Sequence, residues 1–176
     1  MALYHFHVTQ IQRSAGQSAI TCAAYRSGEK LYSEYYGETS DYTRKGGVIC
    51  SDILLPPHAP PEYADRQTLW NAVEKVERNK NAQLAYSFDI ALQNEFSLEE
   101  NIALARQFLS EQLVSRGMIV DYAIHGTLGN QPSICGQIDP PRPAFDYEII
   151  TLSSKRRGDA RVASLLPKKR DELCPK

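Results

Sequence analysis

The chain has 176 residues, 42% of them hydrophobic and 23% charged, with a formal net charge of −1. These values suit one globular domain with a short appended tail, and they exclude a wholly disordered chain. No apolar run approaches the ~20 residues that cross a bilayer. Residues 1–5 lack the basic patch and apolar core of a secretory signal, which predicts a cytoplasmic location.

The four cysteines, Cys22, Cys50, Cys135 and Cys174, form no C-x-x-C pair. A structural zinc site usually has such closely spaced ligands, and disulfides are uncommon in chains without a secretory signal. The sequence therefore favours free thiols.

Charge is unevenly distributed along the chain. Residues 1–125 carry eleven Lys and Arg against fifteen Asp and Glu, a balance of −4, and residues 126–176 carry nine against six, a balance of +3. The early cations near Tyr25 are Arg13, Arg26, Lys30, Arg44 and Lys45. A local basic patch can hold a few phosphates although the whole chain is slightly acidic. Scattered, solvated charges are the alternative explanation.

Hydrophobic periodicity predicts strands and helices up to about residue 128. Alternation indicates strands over residues 3–11, 47–55, 83–92 and 118–125. Small inner residues indicate a helix over 18–31, and two more helices follow the predicted N-caps Asp65 and Ser97. The order is roughly β-α-β-α-β-α-β, which predicts one α+β domain with helices over a sheet.

The pattern changes beyond Leu128. Four prolines between residues 132 and 143 interrupt the periodicity, and only Tyr147 to Leu152 has the character of a strand. Basic clusters follow at 155–157 and 168–170. We therefore expect a domain over residues 1–128 and a Pro-rich, basic tail over 129–176, which is either disordered or the product of a frameshift.

Tyr25 is the first candidate for chemistry. A tyrosine phenolate can attack a phosphodiester, which leaves a covalent phosphotyrosine and a free 3′ hydroxyl. Because a phenol is a weak acid, the reaction needs a nearby cation or a metal-polarised phosphate. Arg26 and Lys30 are close in sequence and could contact phosphate. An ordinary aromatic on an amphipathic helix is the alternative.

Three histidines and one aspartate are candidates for a metal site. His125 closes an apolar strand, where side chains emerge at the rim of a sheet. His5 and His7 share one strand face and would approach His125 if the first and last strands were neighbours. Asp89 is a candidate carboxylate for orienting a histidine ligand. Surface histidines and a solvated aspartate explain the same residues without a metal.

Together these segments resemble the MobA/MobL family of relaxases, which start plasmid mobilisation. The resemblance covers roughly residues 3–130. It consists of six segments in order: Ala23–Leu31, Asp41–Val48, Ile53–Pro56, Leu69–Glu74, Asn81–Ala85 and Gly117–Asp121. Each segment alone is modest, but six in order at plausible spacing are specific.

The resemblance implies an α+β fold with a mainly antiparallel central sheet. It also implies a nickase of the two-histidine class, in which a tyrosine attacks plasmid DNA, single-stranded or supercoiled, at a transfer origin. In this family three histidines hold a divalent ion, Mg²⁺ or Mn²⁺, and other relaxosome proteins are candidate partners. Tyr25 matches the nucleophile, His125 the first metal histidine and Asp89 an acidic residue that supports the site.

The match breaks after Gly129–Asn130. The family continues into a Pro-His-x-His run that supplies two more metal histidines, whereas this chain continues with Pro132, Ser133, Ile134 and Cys135. A cysteine could bind a soft metal but would not reproduce a three-imidazole site for Mg²⁺ or Mn²⁺.

The sequence therefore predicts a truncated relaxase with impaired cleavage, in which Arg26, Lys30, Arg44 and Lys45 contact DNA. An accessory protein that binds DNA without cutting it, and an unrelated α+β domain, are the alternatives.

Overall fold

A computed structural model describes residues 6–92, 96–126 and 145–152. The strands are β1 Phe6–Gln12, β2 Lys30–Ser33, β3 Glu38–Asp41, β4 Val48–Leu54, β5 Gln83–Ile90, β6 Ile119–Gly126 and β7 Phe145–Leu152. The helices are α1 Ala19–Ser27, α2 Arg66–Val76 and α3 Leu98–Gln112. None of these helices is long and apolar enough to cross a membrane.

Five of the strands form the central sheet in the order β1-β5-β7-β6-β4, and every neighbouring pair is antiparallel. The other two form a separate antiparallel pair, β2-β3. Both predicted N-caps are confirmed, since Asp65 accepts from Thr68 N–H and Ser97 forms a capping box with Glu100. The expected α+β fold with a mainly antiparallel sheet is therefore confirmed.

The helices cover both faces of this sheet. Helices α1 and α2 pack on one face through a cluster that includes Ile20, Leu69 and the fully buried Trp70. Helix α3 covers the other face, where Leu109 packs with Val120 and other apolar residues of β6. Burial of a large apolar side chain contributes about 1.5–3 kcal/mol, so these two layers hold the sheet from both sides.

The first helix is shorter than the sequence predicted. It ends at Ser27 because Gly28 adopts the left-handed conformation, with φ of 69°, and its N–H bonds back to Ala24. Residues 30–33 instead form β2, in which Leu31 and Ser33 are buried while Lys30 and Tyr32 are exposed. This alternation spans only four residues. Its first residues continue the apolar spacing of the preceding helix, so the sequence pattern assigned them to that helix.

The last strand occupies the centre of the sheet. Strand β7 pairs with β5 on one side and with β6 on the other, and it includes the strand expected over Tyr147–Leu152. Residues 145–152, which the sequence analysis assigned to the tail, therefore pair within the sheet of the domain. Residues 127–144 and 153–176 lie outside the described residues, and the boundary near Leu128 stays a prediction.

A buried carboxylate connects both helices of the first layer to the sheet. Asp121 on β6 is 1% exposed and accepts hydrogen bonds from Arg66 Nε at 3.0 Å and from Trp70 Nε1 at 2.8 Å. Arg66 Nη2 also donates to Asp121 at 2.9 Å, and Arg26 of α1 lies beside the carboxylate, with its Nη1 3.6 Å from Oδ2. Arg66 also pairs with Glu29. Burial alone would lower the pKa of Arg66, but the carboxylates of Asp121 and Glu29 outweigh this effect and raise that pKa.

Replacing Asp121 by Asn should strongly destabilise the protein. Two buried guanidinium groups would lose their shared counter-charge, and breaking a buried ion pair in this way typically costs roughly 3–5 kcal/mol. The measurement is the free energy of unfolding in urea. Asp52→Asn is the matched control, because Asp52 and its partner Arg106 are 43% and 58% exposed and an exposed pair contributes ~0–1 kcal/mol. Equal losses for the two variants would contradict the assignment.

Candidate functional site

The register of the sheet brings the predicted strand residues to one end of it. His7 pairs with Asp89, near the start of β1 and the finish of β5. His125, near the finish of β6, pairs with Val48 at the start of β4. Asp89 pairs with Glu148 of β7, which pairs in turn with Ala123. Because paired residues share a face and side chains alternate with a period of two, His7, Asp89 and His125 lie on the same face. We refer to this as the His125 end of the sheet.

The same register separates the histidines. Strands β5 and β7 lie between β1 and β6, and strands are spaced ~4.8 Å apart. His7 and His125 are therefore separated by three strand spacings, roughly 14 Å. The condition under which His7 would approach His125, that their strands are neighbours, is not met because β5 and β7 lie between β1 and β6. His5 lies outside the described residues. Asp89 pairs with His7 on one side and with Glu148 on the other. The role of Asp89 in supporting a metal histidine stays a prediction.

Helix α1 is held at its N-terminus by buried polar contacts. Glu74 of α2 is fully buried, and its Oε1 accepts from Ser18 Oγ and from Ala19 N, both at 2.8 Å. A carboxylate at this position interacts favourably with the positive end of the helix dipole. Arg13 in turn donates to the Glu74 carbonyl at 3.1 Å and to carbonyls beyond the end of α2. These contacts fix α1 along its axis.

The other end of α1 packs at the His125 end of the sheet. A Cβ at Gly28 would lie 3.2 Å from Val48 Cγ2, so the helix terminus approaches β4 closely at the residue that pairs with His125. Tyr25, in the last turn of α1, is 47% exposed. The predicted nucleophile is thus on the surface, in the last turn of a helix that ends beside β4, the strand that pairs with the His125 strand β6.

The predicted DNA contacts divide into two groups. Arg26 is 1% exposed and contacts Asp121, so the prediction that it binds phosphate is corrected: its guanidinium belongs to the interior. Lys30 is exposed and lies 3.7 Å from Asp41. Arg44 is exposed, and Lys45 lies against Tyr25. Helical neighbours point about 100° apart, which explains why Tyr25 faces out while Arg26 faces in.

A tight turn precedes these loop cations. Asp41 accepts from Thr43 N–H at 3.1 Å and from the Thr43 hydroxyl at 2.7 Å. The hydrogen bonds from Thr43 lower the pKa of Asp41, so its carboxylate stays charged near neutral pH. This turn fixes the direction in which the chain leaves β3, and so it positions Arg44 and Lys45.

An acidic cleft lies between β4 and the start of α2. Its volume is about 240 Å³, and its lining includes Glu29, Asp52, Asp65 and Arg66. Within residues 6–92 and 96–126, where side chains are described, no group of three or more His, Cys, Asp or Glu residues is placed to hold a metal ion. A three-ligand site of the kind that the family resemblance implies is therefore not found among these residues, and residues 131–136 lie outside the described part of the chain.

The profile of the MobA/MobL family matches residues 17–134. The chain belongs to the MobA/MobL family. The MobA/MobL chain is 39% identical over 140 residues to the conjugal transfer protein TraA of Rhizobium radiobacter, a match that covers 74% of this chain and 13% of that protein. It is 39% identical over 125 residues to the mobilization protein MobL of Acidithiobacillus ferridurans, covering 71% and 32%.

A solved structure has the same fold as this MobA/MobL chain. It comes from work on the molecular basis of vancomycin resistance transfer in Staphylococcus aureus, with a TM-score of 0.73 and 33% identity over 90% of this chain and 79% of that one. A probable mobilization protein MobA of Bifidobacterium longum is 37% identical over 133 residues, covering 75% and 24%. The chain thus spans only 13% to 32% of the length of these curated relatives.

Two glycines allow the contact between α1 and β4 to be tested. Gly28 and Gly37 both have φ of 69°, but only at Gly28 would an added Cβ meet a neighbour within 4 Å. The left-handed conformation costs an alanine roughly 1–2 kcal/mol at either position. We expect Gly28→Ala to lose about 1 kcal/mol more than Gly37→Ala, because overpacking adds to that cost. Thermal and urea unfolding measure the difference. Equal destabilisation would mean that the helix terminus does not press on Val48.

Proposed function

We propose that this chain is a relaxase-type domain that engages single-stranded DNA at a plasmid transfer origin, with Tyr25 as its attacking group. Tyr25 supports this best, because it is exposed on the helix whose terminus approaches Val48, the residue that pairs with His125, within the part of the chain that matches the MobA/MobL family. The other supporting observation is chemical, since an exposed phenol can reach a phosphate that a buried one cannot.

The proposed step is a transesterification. The phenol of Tyr25 loses its proton to solvent, and its oxygen forms a bond to phosphorus. The bond from phosphorus to the 3′ oxygen breaks, and that oxygen takes up a proton as a free 3′ hydroxyl. The products are a 5′-phosphotyrosine and a nicked strand. Such covalent catalysis requires stabilisation of the charge that develops on the phosphate.

We propose that cleavage by this chain is impaired. The family expectation is Mg²⁺ or Mn²⁺ on three histidines, and His125 is the one that this sequence retains. Losing two ligands removes tight binding of the ion and also its fixed position against the reacting phosphate. His125 would then act at most as a weak ligand.

DNA binding does not depend on that ion. Lys30 and Arg44 are exposed, and they lie just after α1 and just before β4 in the chain. We propose that these two side chains, together with Lys45, hold the phosphates next to the nucleotide that reaches Tyr25. Relaxosome proteins as partners and a cytoplasmic location remain part of the same proposal.

A second function is favoured by the incomplete metal site. A non-catalytic accessory protein would use the same cations and the same exposed tyrosine to bind origin DNA during conjugation or mobilisation. The two functions differ only in whether Tyr25 forms a covalent bond to DNA.

Nicking of supercoiled origin DNA separates these alternatives. With Mg²⁺ or Mn²⁺ we expect little or no nicking by the wild-type chain, and none by Tyr25→Phe, because the ion is poorly held. Agarose gels and mass spectrometry of the Tyr25 peptide are the measurements. Slow nicking with a phosphotyrosine on Tyr25 supports the impaired relaxase, whereas binding with no covalent product supports the accessory protein. Efficient nicking that depends on Tyr25 would overturn the proposed impairment.

The salt dependence of binding tests the proposed contacts. For single strands the slope of log affinity against log salt is about −0.7 per neutralised phosphate. Lys30→Gln and Arg44→Gln should therefore each make the slope less negative by roughly 0.7. Lys75→Gln is the control, since Lys75 is exposed in the last turn of α2, away from Tyr25. Fluorescence anisotropy with labelled oligonucleotides gives the slopes, and identical slopes for all variants would refute the assignment of these cations.

A further inference from the structure

The side chain of Lys45 lies directly over the ring of Tyr25. Its Nζ is 3.5 Å from the ring centroid and donates a hydrogen bond to the Tyr25 carbonyl oxygen at 2.9 Å. One ammonium group therefore contacts both the ring and the main chain of the same residue. A cation placed over an aromatic face is attracted by the negative face of the ring.

The end of α1 explains why Lys45 binds that carbonyl. In a regular helix the Tyr25 carbonyl would accept from the Glu29 N–H, but here the Glu29 N–H bonds to the Ala24 carbonyl at 3.1 Å. The left-handed Gly28 causes this shift and leaves the Tyr25 carbonyl to a partner outside the helix. A lysine at a helix C-terminus also interacts favourably with the helix dipole. Lys45 thus caps the helix at the residue whose ring it covers.

Tyr42 of the same loop also contacts the ring of Tyr25. Tyr42 meets Tyr25 in a T-shaped contact, with ring centroids 5.2 Å apart and ring planes at 89°. The Lys45 N–H bonds to the Tyr42 carbonyl at 2.8 Å, so a tight turn fixes these two residues relative to each other. Lys45 therefore covers one face of the Tyr25 ring and Tyr42 makes a second ring contact, while nearly half of the Tyr25 side chain remains accessible.

We propose that Lys45 is the positioning residue for Tyr25. It holds the phenol in one orientation at the end of α1, and its charge stabilises the negative charge that develops on the phenol oxygen during attack. This inference rests on the proposed role of Tyr25 as the attacking group. It goes further by assigning a reason why Tyr25, among several exposed tyrosines, is the reactive one.

Tyr32 provides an internal comparison. It is 45% exposed, against 47% for Tyr25, and no cation lies over its ring among the described contacts. A reagent therefore reaches the two phenols about equally, but only Tyr25 of the two has a described cation over its ring. A difference in their reaction rates then reports the effect of Lys45. Tyr35 is less suitable, because Arg13 lies 4.2 Å from its ring centroid.

Reaction with an aryl sulfonyl fluoride tests the inference without DNA or metal. The phenol oxygen forms a bond to sulfur, the sulfur–fluorine bond breaks, fluoride leaves and the phenol proton goes to the buffer. Mass spectrometry of proteolytic peptides from the whole chain gives a rate for each tyrosine. We expect Tyr25 to react faster than Tyr32, and Lys45→Met to slow Tyr25 by about 2- to 30-fold, the range that a cation over an aromatic ring provides.

Two further variants make the result specific. Lys45→Arg keeps a cation over the ring and should restore at least half of the wild-type rate at Tyr25. Lys75→Met removes an exposed charge of α2 that belongs neither to the loop of residues 42–45 nor to the proposed DNA contacts, and it should leave the rate at Tyr25 within twofold, since Lys45 is the side chain on the ring. The rate at Tyr32 and the far-ultraviolet circular dichroism should be the same in every variant, which identifies any variant that fails to fold. If Lys45→Met does not fold, Lys45→Gln replaces it.

The inference is overturned if Tyr25 reacts no faster than Tyr32, or if removing Lys45 leaves its rate unchanged. It is also overturned if Lys75→Met slows Tyr25 as much as Lys45→Met, because the effect would then come from the net charge of the chain and not from the cation on the ring. Failure of the nickase proposal gives a different result. In that case Lys45 still controls the rate at Tyr25, while bound origin DNA yields no phosphotyrosine.

Discussion

The architecture around the candidate site depends on the carboxylate of Asp121. It receives a guanidinium and an indole from α2 and lies beside a second guanidinium from α1, so one residue of β6 fixes both helices of the layer. The desolvation of such charges is costly unless each one is paired. Arg66 and Arg26 both depend on the position of the Asp121 carboxylate. A small shift of α1 or α2 would therefore leave one of these guanidinium groups without its counter-charge. The position of Tyr25 over the sheet follows from this requirement.

The two termini of α1 are fixed by different means. Glu74 and Ser18 hold the beginning through hydrogen bonds, while Gly28 lets the other terminus approach Val48 within van der Waals contact. Lys45 then donates a hydrogen bond to the Tyr25 carbonyl, which the left-handed turn leaves without a donor from the helix. A helix of nine residues is marginal in isolation, so its orientation is set by these tertiary contacts rather than by intrinsic propensity.

Local features were predictable from the sequence, and long-range ones were not. The strand expected over 47–55 is β4, and the capping residues Asp65 and Ser97 act as expected, because each depends on neighbours within a few positions. The hairpin β2-β3 was missed, since four residues of alternation are too few to recognise. The separation of His7 from His125 depends on strand order, which periodicity does not encode. Arg26 was misassigned because adjacency to Tyr25 in sequence says nothing about which side of a helix it faces.

The order of strands has a consequence for how the protein is made. The strand at the centre of the sheet, β7, is the last of the described strands to be synthesised, after both of its neighbours. Until then β5 and β6 present unpaired hydrogen-bonding edges, which are prone to incorrect pairing. The nascent chain therefore completes its sheet by inserting a final segment between strands that already exist. Premature termination of synthesis before residue 145 would remove the middle of the sheet and not its margin.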